Sequence, residues 1–229
     1  MSDDDTSARL ERAARLSGIG RLAESGQVDG RSVLSAIGGV RGVVEAMLPG
    51  FVFLIAYTFT RDLVLSIVLP LAVGVVFVVV RLIQRQPASP AIGGVLGIAL
   101  SAVLALLNNR PEDYYIPGFW TNGGYFVVLL VSVLAGWPII GVAAGFLTGE
   151  GTTWRADRRR RRVYAALTLM WCSLFALRLI VQIPLYYAGA IEALGTARLV
   201  MGIPLYAPLL VITWLVIRSL QRSGSRGAA

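Results

Sequence analysis

Val163–Tyr187 reads VYAALTLMWCSLFALRLIVQIPLYY, a stretch long enough and apolar enough to cross a bilayer. It follows an unbroken basic run, Arg158–Arg162, and carries Arg178 and Gln182 inside it. A helix rises about 1.5 Å per residue through a hydrocarbon core about 30 Å thick, so Arg178 sits about 22 Å from the basic end, past the midplane. A guanidinium at that depth must find a partner or reach an interface.

The same alternation of long apolar runs and short polar breaks fills the chain. Charged residues make up 15% of the sequence, whereas a soluble domain carries about 25%. Six spans are expected, at about 43–59, 63–82, 91–107, 118–136, 163–187 and 199–217. Ile139–Thr148 is apolar but only about half a crossing, and reads as a re-entrant or in-plane segment on the cytoplasmic side. Backbone amides in lipid need internal partners, so every span must be helical; a closed barrel would need alternating strands. The expected fold is therefore all-α: a polytopic transmembrane helical bundle, six spans as three hairpins plus one short segment. Residues 1–41 form a cytoplasmic tail with an amphipathic stretch at Ala8–Leu16, 42–218 the membrane domain, and 219–229 a cytoplasmic tail.

Charge sets the orientation. With Ile139–Thr148 not crossing, one side receives the N-terminal tail, Arg81, Arg85, Arg155, Arg158–Arg162 and the C-terminal tail. The other receives Arg61, Arg110 and Arg198. That bias places both termini in the cytoplasm and the protein in the cytoplasmic membrane. The opening MSDDDTSARLERAARL lacks the apolar core of a signal peptide, so the first span is expected to direct insertion.

Several function classes are poorly served by this composition. There is no histidine, and Cys172 is the single cysteine, so neither a disulfide nor a zinc site is expected. No Walker loop, HExxH or GxSxG is present, and no catalytic residue, cofactor or metal is expected. The net charge of +8 comes wholly from arginine. Those arginines flank apolar spans rather than forming a stripe with aromatics, which argues against nucleic acid.

Two groups of side chains stand out. Gln182 lies one helical turn from Arg178 on the same face, and Asp62, Glu112, Asp113, Trp120 and Asn122 fall on the same side of the membrane. Three readings of Arg178 follow: an ion pair with Asp62, Glu112 or Asp113; a pocket for a carboxylate or lipid phosphate; or snorkelling to the interface. On the cytoplasmic side, Glu45, Glu150 and Trp154 accompany Arg158, Arg159, Arg160, Arg161 and Arg162. That group reads as a surface for anionic phospholipid, or as a gate formed with the short segment. Gly93-x-x-x-Gly97 reads as a helix-packing motif.

Three blocks, RPEDYYIPGFWTNGGY (Arg110–Tyr125), FLTGEGTTWR (Phe146–Arg155) and MWCSLFALRLIVQIPLYYAG (Met170–Gly189), resemble an actinobacterial family of multi-pass membrane proteins of undefined function. More distantly, Pro49–Phe53 and the Trp154, Trp171, Phe175 series resemble the intracellular septation protein A family. That resemblance implies an inner-membrane protein engaged in envelope synthesis at division. The expected function is a structural or interaction role in the cell envelope, with a homo-oligomer or envelope protein as partner. The alternative is a small oligomeric transporter or channel with an outward-facing vestibule around Arg178 and Gln182.

Overall fold

The computed structural model describes residues 39–86 and 89–226, with the side chains of 39–43, 45, 46, 89, 90, 203 and 221–226 outside that description. The expected amphipathic stretch at Ala8–Leu16 lies outside the described residues. Every regular element among the described residues is helical: α1 (Gly39–Thr60), α2 (Leu63–Ile83), α3 (Ser89–Asn108), α4 (Ile116–Leu134), α5 (Ile139–Leu147), α6 (Arg158–Tyr187), α7 (Ile191–Val200) and α8 (Ile203–Arg226). Short 3-10 turns, Pro111–Tyr115 and Thr153–Ala156, precede α4 and α6.

Among the described residues, five stretches are long and apolar enough to cross a membrane: Leu63–Ile83, Ala91–Asn108, Pro111–Leu134, Arg158–Tyr187 and Ile191–Leu220. The apolar part described for α1, Met47–Thr60, is shorter. Its end is set locally. Arg61 adopts φ 53°, which turns the chain out of the helix, and the Asp62 carboxylate then caps α2 by accepting from Leu65 N at 3.1 Å. A two-residue polar break therefore suffices to separate α1 from α2.

One expectation about the later chain is corrected. The break between the spans expected at 163–187 and 199–217 is largely helix α7, and the last long helix starts at Ile203. The arginine run is itself helical and forms the start of the 30-residue helix α6. Cations at a helix N-terminus oppose the dipole. Asp157, just before it, accepts from Arg159 N at 2.7 Å and supplies the cap.

The chain divides into two compact units. Of the described residues, one comprises 40–127 and 172–207, and the other 128–171 and 208–226 with Gly39. The core of the first is Phe53, Ile67, Ala102, Ala105, Tyr114, Tyr115, Ile191 and Leu194. Phe53 stacks on Tyr114 at 3.8 Å between centroids, and both rings meet Tyr115 edge-on. The second core is Ala144, Trp154, Tyr164, Leu167 and Leu220.

Polarity runs opposite to that of a water-soluble core. On α6, Leu177, Ile180 and Ile183 are 47%, 69% and 38% exposed, while Arg178 and Gln182 are 9% and 2% exposed. Ser66, Ser101, Asn122 and Thr168 are likewise buried. Large apolar side chains outside and polar ones inside is the arrangement a hydrocarbon solvent selects.

Candidate functional site

The inward face of α6 carries Phe175, Arg178 and Gln182 at three- and four-residue spacing, so one stripe sets a ring, a guanidinium and an amide in line. Phe175 stacks with Tyr125 of α4 at 5.2 Å and meets Tyr206 of α8 edge-on at 6.0 Å. Arg178 Nη1 donates to the Tyr206 hydroxyl at 2.8 Å. Its Nε is buried with no hydrogen-bond partner among the described residues, and so is Gln182 Nε2.

A second arginine shares this space. Arg198 lies in the last turn of α7, its guanidinium 5.4 Å from the centre of the Tyr115 ring. Glycines make the room. A Cβ at Gly118 would stand 3.0 Å from Arg198 Nη1, and one at Gly195 would stand 2.7 Å from the Tyr115 hydroxyl. That hydroxyl is itself buried without a partner among the described residues.

Arg178 and Arg198 line one cavity of about 500 Å³, together with Asn122, Thr121, Tyr114, Tyr115 and Tyr206. That volume falls in the range of small-ligand pockets, roughly 300–1,000 Å³. Neither arginine enters an ion pair among the described residues. The cavity thus presents two cations, four tyrosines and an amide, with no carboxylate paired to either guanidinium among the described residues.

The carboxylates expected to converge on Arg178 are engaged elsewhere. Asp113, buried at the 3-10 turn, accepts from Asn108 Nδ2 at 2.6 Å and from the Tyr186 hydroxyl at 2.6 Å. Glu112 pairs with Arg110 at 2.8 Å, and that hydrogen bond raises the Arg110 pKa. Asp62 caps α2. Each has a donor within five residues of it, Asn108 for Asp113, Arg110 for Glu112 and Leu65 N for Asp62, and Asp113 is held in addition by Tyr186 of α6. Asn122 does line the cavity, but Trp120 does not; its ring is 79% exposed on the outer face of α4. The Gly93/Gly97 packing expectation is also corrected. A Cβ at Gly93, Gly94 or Gly97 would meet nothing within 4 Å, so no neighbouring backbone approaches there among the described residues.

The cluster expected around the basic run forms within the other unit. Arg160 pairs with Glu150 at 2.7 Å and also reaches the Leu220 carbonyl at 3.4 Å. Arg158, Arg159, Arg161 and Arg162 are exposed. Trp154 is buried against Tyr164, edge-on at 5.3 Å, and beneath α5, where Gly141 and Gly145 admit its ring. A Cβ at Gly145 would lie 2.0 Å from the Gly151 carbonyl oxygen. Arg155 sits 3.6 Å above the Trp137 ring. Glu45 belongs to α1, and its side chain lies outside the described residues.

Arg198 is the residue sequence reasoning passed over. In the sequence it stands between two expected spans, where an arginine reads only as an orientation charge. The available signal was the IEALGTARLV period, which continues as a helix, with Gly195 and Gly202 giving way around it. No group of histidine, cysteine or carboxylate side chains able to hold a metal occurs among the described residues. What the cavity offers chemically is recognition of negative charge by a desolvated fork of donors.

No curated protein and no solved structure matches the chain. A family model does, over residues 37–224. The chain belongs to that family, described as protein of unknown function (DUF3159).

Proposed function

We propose that the chain is an integral membrane protein of the cytoplasmic membrane that binds an anionic group in the Arg178/Arg198 cavity, as a transporter or carrier of that anion. One observation carries this reading: two guanidiniums line one cavity, and neither has a carboxylate partner among the described residues. An arginine inside a span costs on the order of 3 kcal/mol. A scaffold acting only through its surfaces gains nothing from two of them around an open volume, so anion binding is preferred to a purely structural role in the envelope. The arginine count favours a cytoplasmic basic run, cytoplasmic termini and loops carrying Arg61 and Arg110 outside. Exposed Arg158, Arg159, Arg161 and Arg162 suit anionic phospholipid at the inner leaflet.

The test is binding of inorganic phosphate to the purified full-length chain in neutral detergent. Saturable binding is expected, weakened by about tenfold or more in Arg178→Ala and in Arg198→Ala, because a charge-assisted contact is worth about 1.5–3 kcal/mol. Arg218→Ala, whose guanidinium lies over Trp214 at 5.1 Å and outside the cavity, serves as the control and should bind like the wild type. Binding that neither cavity substitution weakens, in proteins that melt normally, overturns the proposal. So does the absence of saturable binding.

A further inference from the structure

Resting on the reading above, we infer that the anion is the head group of an amphiphile that enters sideways from the bilayer, its chain leaving the cavity past the glycines of α3. The cavity wall includes Gly50 of α1 and Gly94 and Gly97 of α3. At each of these a Cβ would meet nothing within 4 Å, and Gly94 and Gly97 are exposed. The cavity therefore reaches the outer surface of α3 at its glycines. The surface it reaches is apolar: Ile92, Leu96 and Leu100 of the same helix are 44%, 64% and 55% exposed, within a stretch able to cross a membrane.

A water-soluble anion needs a polar entrance. Here the rim along α3 is hydrocarbon-like, with Thr121 of α4 exposed elsewhere on the wall, while the interior holds Arg178 Nε and the Tyr115 hydroxyl, both buried and without a partner among the described residues. Charged donors inside and an apolar mouth outside match one chemistry, a negatively charged head on an acyl chain. Side chains larger than glycine along the α3 face would close that mouth, which accounts for small residues where no neighbouring backbone requires them.

Lysophosphatidic acid, lysophosphatidylcholine and inorganic phosphate are titrated separately onto the full-length chain in neutral detergent, with bound copies counted by native mass spectrometry. Lysophosphatidic acid is expected to bind as one saturable copy, at least about tenfold tighter than either comparator, since both head charge and chain contribute. Gly97→Leu, whose Cβ would meet nothing within 4 Å, fills the mouth and should weaken that copy by about tenfold while phosphate binding is retained. Gly94→Leu provides a second plug if Gly97→Leu is unstable. Lysophosphatidic acid bound no tighter than phosphate, or insensitive to both plugs, overturns lateral entry and leaves the anion site standing. Binding indifferent to Arg178→Ala marks ordinary surface lipid and overturns the inference. If neither phosphate nor lysophosphatidic acid binds, the anion site itself falls.

Discussion

Neighbouring carboxylates in this chain have unequal duties, and Asp113 and Glu112 show it most plainly. Asp113 is 2% exposed and holds two donors, Asn108 Nδ2 and the Tyr186 hydroxyl, each at 2.6 Å. Removing it breaks two charge-assisted hydrogen bonds made by a buried carboxylate, a loss of about 1.5–3 kcal/mol. Glu112 meets an Arg110 that is half exposed, and water screens such a pair, so it adds little to stability. Asp113→Ala is therefore expected to lower the melting temperature in detergent clearly, and Glu112→Ala hardly at all. Equal shifts from the two would refute this division. Local donors, Asn108 and Arg110, take one oxygen of each carboxylate and Tyr186 takes the other of Asp113, so neither carboxylate reaches Arg178. Asn122 lines the cavity, whereas Gln182 is buried beside Arg178 on α6 without being part of its lining.

Elements differ in how much of them could be read in advance. Long apolar runs announce α2, α3, α4 and α6 because hydrocarbon selects for them residue by residue. The short α7 is not announced: Glu192 and Arg198 make its stretch look like a loop, and only its docking against the Tyr115 ring reveals why an arginine belongs there. Glycines divide the same way. Gly141-x-x-x-Gly145 on α5 is a close approach to Trp154, whereas Gly93-x-x-x-Gly97 on α3 borders open space. Gly145→Ala must move the Gly151 backbone, so a loss of about 1–3 kcal/mol is expected. Gly97→Ala should cost nothing and, on helix propensity, even gain up to about 1 kcal/mol. Thermal melting of the two variants side by side checks the pair; a destabilised Gly97→Ala would mean that another chain or segment packs on α3. At the start of α6, Asp157→Ala removes the cap that offsets five cations, for an expected loss of about 1 kcal/mol. An unchanged melting temperature would mean that the cap does not offset them.

For the whole molecule, orientation and cavity are linked by one topology. The described backbone keeps the apolar segment after Pro138 to nine residues, a rise of about 13 Å, too short to span the core. Cys172 is buried and is the single thiol, so Cys172→Ala supplies a background for labelling. In it, Arg159→Cys is expected to react with an impermeant maleimide only from the cytoplasmic side, and Ala188→Cys only from outside. The reverse pattern would invert the proposed orientation without touching the chemistry of the cavity. That chemistry depends on Arg178 and Arg198 having no carboxylate of their own. The most direct measurement is an experimental structure of the full-length chain determined with tungstate, a tetrahedral oxyanion heavy enough to locate unambiguously. Density for tungsten within hydrogen-bonding reach of Arg178 Nε and the Arg198 guanidinium is the expected result. A side-chain carboxylate lying across those two groups, with no tungsten in the cavity, would contradict it.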